Sequence, residues 1–262
     1  NLGIAYQYQN NLKKAETFYK KATNFNPNLI GPLINLGYIL YEQGQIERAI
    51  EYYRRAINLN PNFYETYYNL GILYIEQHIV DRAIICFNKC ISLKPYHKKA
   101  LYMLGYSLRN KIPNTQLNLL YKNILQMIEL ENVVSPPEIS KAVVSLVKEN
   151  LNIKTISNKN FYKKIEDKLN FCAHEKLLMK FMSVGTIPDI ELENIITELR
   201  SSILLSIEKI DFNSEILNFQ EALAFQCYLN EFIYNLDNNE IKELKKLKKS
   251  IELELSKGKT SI

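Results

Sequence analysis

Three asparagines recurring every 34 residues are the side chains best suited to chemistry in this sequence. Asn1, Asn35 and Asn69 each stand directly before a Leu-Gly pair. A side-chain amide both donates and accepts hydrogen bonds, so a ladder of amides can bond a peptide backbone whatever side chains the peptide carries. The spacing therefore favours binding of an extended polypeptide. The alternative is that the asparagines are polar repeat residues with no ligand.

Tyrosines are concentrated in the same part of the chain, with 14 of the 18 lying in the first 108 residues. A phenol offers a large contact area at low entropy cost, and its hydroxyl can make a hydrogen bond. From their phase in the repeat, we expect one group to face or rim the surface that carries the asparagines: Tyr8, Tyr38, Tyr41, Tyr68, Tyr102 and Tyr106. We expect a second group to pack between helices: Tyr19, Tyr53, Tyr67 and Tyr74.

Other kinds of chemical site are disfavoured. No two of the 8 glycines are separated by a single residue, which excludes a G-x-G phosphate-binding loop, and no P-loop motif occurs. The 4 cysteines form no C-x-x-C pair, so we expect no metal site and a reducing, cytoplasmic location. No acid or oxyanion partner for Cys172 and His174 is evident in the sequence. We therefore predict that this chain binds no cofactor and is not itself an enzyme.

The charge distribution argues against nucleic acid as a partner. Lys+Arg 33 and Asp+Glu 28 give a net charge of +5, and neither half of the chain is strongly basic. Nucleic-acid-binding proteins usually cluster their positive charge. No apolar run approaches the ~18–20 residues that span a membrane. The charged run 241–259 is expected to be a solvated helix face with ion pairs, the alternative being a membrane-surface role.

The elements that must position the asparagines and tyrosines form a 34-residue repeat. A glycine lets two helices approach closely, an aromatic ring fills the gap, and a proline ends the unit because it cannot continue a helix. Four positions recur with this spacing: Gly3, Gly37 and Gly71; Ala15, Ala49 and Ala83; Tyr19, Tyr53 and Phe87; Pro27, Pro61 and Pro95. His78 aligns with Asn10 and Gly44 at the turn between helices, where we expect a left-handed backbone.

This pattern resembles the tetratricopeptide repeat (TPR), a helix–turn–helix unit whose copies stack into a superhelix. The resemblance implies that the first helix of each unit lines a concave groove. The asparagines then resemble the ladder that holds extended peptides in the repeat region of O-GlcNAc transferases. TPR domains that clamp a C-terminal carboxylate carry a set of lysines and arginines that the first three units here do not have, which disfavours a chaperone-tail ligand.

We predict an all-α fold in which a TPR superhelix of about 3.5 repeats leads into an irregular helical domain. The predicted repeat region is 1–130 and the helical domain is 131–262. Because the chain starts inside a repeat, its beginning reads as a truncation. In the fourth unit we expect the first helix to stack normally and the second to diverge. The predicted repeat boundaries are 1–27 (partial), 28–61, 62–95 and 96–130 (degenerate).

Two stretches of the second half, 189–200 and 222–234, resemble bacterial proteins that join TPR units to a C-terminal S-adenosylmethionine-dependent methyltransferase domain. The resemblance implies that a catalytic domain and its cofactor loop lie beyond residue 262. Gln226, Asn230 and Glu231 are polar residues in an otherwise apolar helix. They either satisfy buried backbone locally or abut that further domain.

Three functions therefore remain open for the chain. The first is a module that binds a protein or an extended peptide in the concave groove, as the recruiting part of a larger protein. The second is a fragment of a TPR-containing methyltransferase. The third is a structural scaffold that binds partners through its convex face or through the helical domain.

Overall fold

The structure is a computed structural model that describes residues 2–109, 117–130, 133–150, 172–185, 187, 189–205, 214–229, 239, 241–246 and 248–249. Within these residues the regular structure is helical throughout, which confirms the predicted all-α fold. The chain divides into two compact units, Asn1–Val134 and Ser135–Ile262.

Helical hairpins build the first unit. Each hairpin packs its two helices against each other, and the second helix of one hairpin contacts the first helix of the next. The helices are α1 (Leu2–Tyr8), α2 (Leu12–Phe25), α3 (Ile30–Glu42), α4 (Ile46–Leu59), α5 (Tyr64–Glu76), α6 (Val80–Leu93), α7 (Lys98–Leu108) and α8 (Leu117–Glu129).

Glycine–aromatic contacts close each of the first three hairpins. A Cβ added at Gly37 would lie 2.8 Å from the Tyr53 ring, and one added at Gly71 would lie 2.6 Å from the Phe87 ring. Tyr53 and Phe87 are almost completely buried. The glycine is therefore required because only a hydrogen atom fits between the helix and the ring.

The turns inside the hairpins have the predicted left-handed backbone. The φ angle is 57° at Asn10, 74° at Gly44 and 59° at His78. Glycine adopts this conformation freely, and asparagine and histidine tolerate it better than most residues. The conformational role predicted for His78 is thus confirmed.

The first two linkers between hairpins share one turn. The Asn26 side-chain oxygen accepts a hydrogen bond from the backbone N–H of Asn28, and the Asn60 oxygen accepts from Asn62, both at 3.0 Å. This side-chain bond fixes the turn that follows each second helix. The two linkers are consequently alike in sequence and in structure.

The third linker is built differently. Lys94 takes the place of the asparagine, and its ammonium group cannot accept a hydrogen bond. Tyr96 then adopts a φ of 67°, an uncommon conformation for a bulky side chain. His97 provides the N-cap of α7, accepting from the Ala100 N–H at 3.1 Å through its Nδ1 atom.

The fourth hairpin departs from the repeat at its second helix, as predicted. A Cβ added at Gly105 would lie 2.7 Å from Val134, not from a ring of α8. A buried hydrogen bond of 2.7 Å runs from the Asn123 amide to the Asn88 oxygen and ties α8 to α6.

The second unit contains α9 (Pro136–Asn150), α10 (Lys176–Met182), α11 (Ile190–Leu205) and α12 (Ser214–Leu229). Helix α9 starts in a Ser-Pro-Pro-Glu sequence, where the Glu138 carboxylate accepts from the backbone N–H of Ser135. Residues 241–246 are helical, with a 2.6 Å ion pair between Lys246 and Glu243 on an exposed face. That part of the predicted charged helix is confirmed. Asn230 and Glu231 lie outside the described residues.

Candidate peptide-binding groove

The first helices of the hairpins form a common surface, which we call the groove. Helix α3 contacts α5, and residues of α1 with α3, and of α5 with α7, line two separate cavities. The second helices stand behind these helices and supply the buried rings that support them. The repeat therefore presents one side of each first helix to solvent along the groove.

The N-terminal cavity lies between α1 and α3 and has a volume of about 490 Å³. It brings together three residues predicted for the groove, Tyr8, Asn35 and Tyr38, and places Gln7 and Glu42 beside them. The full lining is Ile4, Gln7, Tyr8, Asn10, Leu12, Asn35, Tyr38 and Glu42. Amide, phenol and carboxylate groups thus line this cavity together with apolar side chains.

Two phenol–carboxylate pairs lie along the groove. The Tyr41 hydroxyl donates a hydrogen bond to Glu76 of α5, and Tyr38 lies beside Glu42 of its own helix. The Glu42 carboxylate, together with burial, raises the pKa of Tyr38 above its ordinary value. The bond to Glu76, again with burial, raises the pKa of Tyr41 to about 12. Both phenols therefore stay protonated.

The groove asparagines have partners in the preceding hairpin. Asn35 lies against the Tyr19 phenol, whose hydroxyl donates to Gln7 at 2.9 Å. Asn69 lies against the Tyr53 phenol in the same way. Burial raises the pKa of each phenol, and the neighbouring amide opposes that rise. Each asparagine is half-buried, so it links two repeats and is also open to the groove. Asn1 lies outside the described residues.

The asparagine and its phenol change together along the repeat. Asn35 follows Tyr19 by 16 residues, and Asn69 follows Tyr53 by the same interval. In the next unit the corresponding residues are Met103 and Phe87, so the hydroxyl and the amide are lost together. This pairing explains part of the asparagine periodicity without a ligand.

The C-terminal cavity lies between α5 and α7 and has a volume of about 290 Å³. It brings together the predicted Tyr68 and Tyr102, the second of which is 51% exposed. The remaining lining residues are Lys98, Lys99, Met103 and Val133. This end of the groove is therefore aromatic and basic, whereas Glu42 is the charged residue at the other end.

His97 stands behind the C-terminal cavity between two tyrosine rings. Its ring centroid lies 5.4 Å from that of Tyr64 and 5.3 Å from that of Tyr68. Burial lowers the pKa of His97, and the positive charge of Lys94 lowers it further. The neutral ring that results is the form that can accept the α7 cap bond at Nδ1.

Two predicted groove tyrosines lie outside both cavities. Tyr41 is engaged by Glu76, and Tyr106 is 48% exposed with the Arg109 guanidinium 5.7 Å from its ring centroid. Sequence reasoning missed Gln7 and Lys98 as groove residues. The repeat phase contained a signal for Gln7, which stands 34 residues before Tyr41.

The predicted packing residues behave as expected. Tyr19, Tyr53 and Tyr74 are 5%, 1% and 4% exposed. Tyr67 is half-buried and donates to the Pro61 carbonyl at 3.1 Å. Cys90 is completely buried as well.

In the described part of the chain, no group of three or more His, Cys, Asp or Glu side chains could hold a metal ion. No helix among these residues combines the length and the apolar character needed to cross a membrane. Cys172 is buried and His174 is exposed, so the two side chains sit in different environments.

Gln226 in α12 satisfies buried backbone groups. Its side chain is 2% exposed and donates to the carbonyls of Met182 at 2.7 Å and Gly185 at 2.6 Å. The residue therefore closes the end of α10 against α12. Of the two roles predicted for Gln226, these contacts support the first, the local satisfaction of buried backbone groups.

Comparison with known proteins identifies the repeats. A TPR repeat model matches residues 37–77, and a tetratricopeptide repeat model matches residues 1–29 and 64–97. No curated protein matches the chain. A crystal structure of MamA is 21% identical, covering 69% of this chain and 94% of that chain with a TM-score of 0.43. A MamA RS-1 ArsTM double mutant is 18% identical, covering 69% and 90%, with a TM-score of 0.43. The first unit of this protein thus contains tetratricopeptide repeats, a module that serves protein interaction.

Proposed function

We propose that the repeat unit binds an extended polypeptide along the groove. The observation that carries this proposal is the pair of cavities on one surface, separated along the first helices and backed by fully packed hairpins. A preformed surface of this kind binds a ligand without the free-energy cost of becoming ordered. An extended chain that follows the first helices passes both cavities.

The chemistry of the lining supports a peptide as the ligand. Half-buried amides at Asn35 and Asn69 retain hydrogen-bonding capacity beyond the single phenol each contacts. Exposed rings at Tyr38 and Tyr102 offer apolar faces with polar tips, as aromatic residues of binding surfaces commonly do. The groove can thus bond a peptide backbone and pack against its side chains.

The test compares two double variants that separate binding from packing. Labelled extended peptides are screened by fluorescence anisotropy, and the tightest binder is then titrated by calorimetry. Replacing Asn35 and Asn69 with alanine should weaken binding about tenfold or more, from roughly 1 kcal/mol for each of two lost hydrogen bonds. Circular dichroism verifies that each variant is folded.

The matched control is Tyr19→Phe with Tyr53→Phe. This pair removes the same inter-repeat bonds but leaves both groove amides in place, so affinity should stay within about twofold of the parent chain. An unchanged affinity in the asparagine variants would contradict the proposal. Equal losses in both pairs would show that the asparagines act only through packing. A partner whose binding ignores every groove variant would favour the scaffold function.

The methyltransferase context is a narrower proposal, supported by the resemblance of segments 189–200 and 222–234. It predicts a catalytic domain downstream in a longer protein, and reading the coding sequence after residue 262 tests it. By itself the chain is expected to show no affinity for S-adenosylmethionine in equilibrium dialysis. A cytoplasmic location stays a prediction alongside it.

A further inference from the structure

We propose that the N-terminal cavity is a binding site for a lysine or arginine side chain of the peptide in the groove. This inference rests on the proposed function, because the cation would arrive on an extended chain. Beyond peptide binding in general, the inference specifies which chemical class of peptide side chain the groove selects at this end.

The charges of the cavity favour a cation. The exposed carboxylate of Glu42 stands at its wall, and none of the described residues that line it is a lysine or an arginine. The side chains of Gln7 and Asn35 supply amide oxygens, which accept hydrogen bonds from ammonium or guanidinium groups. The rings of Tyr8 and Tyr38 offer faces that attract a cation.

The shape of the cavity fits a long side chain with an apolar stem. Ile4 and Leu12 line the same space as the polar groups. Lysine and arginine bury their methylene stems on apolar surface while their charged heads reach polar partners. A volume of about 490 Å³ holds such a side chain together with water.

The repeat gives an internal reason for choosing Glu42. The corresponding residue 34 positions later is Glu76, and it accepts the hydroxyl of Tyr41 from the neighbouring hairpin. Glu42 has Tyr38 of its own helix beside it, within the wall of the cavity. A carboxylate has about four acceptor sites, so one phenol leaves most of the capacity of Glu42 for a cation.

The opposite end of the groove carries the opposite charge. Lys98 and Lys99 line the C-terminal cavity and would repel a cationic side chain there. A basic residue of the peptide is therefore directed to the α1–α3 end. The groove discriminates between positions along one peptide as well as between peptides.

The test uses the full chain and three sets of short extended peptides that differ only at a central lysine, norleucine or glutamate. Side-chain amide signals of Asn35 and Asn69 report binding by NMR. Lysine-centred peptides should shift the Asn35 signal and bind more tightly than norleucine-centred ones. Glu42→Gln keeps an acceptor for Tyr38 but removes the charge, and should weaken the lysine-centred peptides about fivefold without affecting the norleucine-centred ones.

Glu51→Gln is the matched control, because Glu51 is an exposed carboxylate on α4, away from the cavity lining. It should leave every affinity unchanged. If all three peptide sets shift Asn35 and Asn69 equally, or if Glu42→Gln has no effect, the cation site is wrong while groove binding stands. If no peptide perturbs either asparagine, the proposed function fails and the cation site fails with it.

Discussion

The first two contacts between repeats are polar, and the third is apolar at the same position. Asn35 meets the Tyr19 phenol and Asn69 meets the Tyr53 phenol. Met103 and Phe87 occupy the corresponding positions one unit later. A buried hydroxyl needs a partner, and a buried phenyl ring does not. The difference shows that a side chain that recurs in the repeat because it binds a ligand can also recur because it pairs with a neighbouring side chain.

The linkers between hairpins divide in the same way. Asn26 and Asn60 fix the first two linkers through their side-chain oxygens. The third linker has Lys94, a left-handed Tyr96 and the His97 cap instead. Both changes fall at the C-terminal end of the repeats, next to the basic cavity. The regular repeats and their modified end therefore offer different side chains on one scaffold.

The largest expected effect concerns the glycine that lies under the aromatic ring. This glycine is common to the polar contacts and to the apolar one. Gly71→Ala places a Cβ 2.6 Å from Phe87, and we expect a loss of about 2–3 kcal/mol in the free energy of unfolding. Gly31→Ala is the control, because a Cβ there meets nothing within 4 Å, and it should stabilise by up to about 1 kcal/mol. Urea denaturation measures both. A stable Gly71→Ala chain would mean that the ring moves aside at little cost.

An intermediate effect tests the polar-to-apolar exchange directly. Phe87→Tyr adds a hydroxyl at a completely buried position, which should cost about 2 kcal/mol because the hydroxyl has no amide opposite it. Adding Met103→Asn restores the pair found in the first two contacts and should recover most of that loss. A double-mutant cycle in urea measures the coupling energy. If the stability effects of the two substitutions are simply additive, the proposal that the asparagine depends on its phenol is wrong.

The smallest effect concerns the modified linker. His97→Ala removes the α7 cap and should cost about 1 kcal/mol, whereas His97→Asn keeps a capping oxygen and should cost less. The pKa of His97 is lowered by burial and by Lys94, with Lys99 lowering it and Glu65 raising it to smaller extents. The folded state therefore disfavours the proton. Its stability contribution is present above the ordinary pKa of ~6.5 and is lost as the pH falls below it.

The measurement for this linker is the difference in unfolding free energy between neutral and mildly acidic buffer. The parent chain should lose stability on acidification by more than His97→Asn does. Equal losses in the two chains would show that other groups, not the cap, govern the response.

Much of the fold could be predicted from the spacing of residues. The 34-residue spacing predicted that Gly37 packs against Tyr53 and that His78 has a left-handed backbone. Both features lie within one hairpin and therefore recur with it. The combination of groups that meet in each cavity could not be predicted in this way. Gln7 and Glu42 come from different hairpins, and only the stacking of α1 beside α3 brings them together.

The sequence by itself determined the period, the helical hairpins and the glycine–aromatic cores of the repeats, since these depend on residues close together in the chain. Only the tertiary structure decided that Asn35 and Asn69 lie against phenols of the preceding hairpin, that His97 caps α7 between two rings, and that the groove is acidic at one end and basic at the other. The physical reason is that hydrogen bonds and cavity charges depend on distances between side chains of different hairpins, and packing sets those distances.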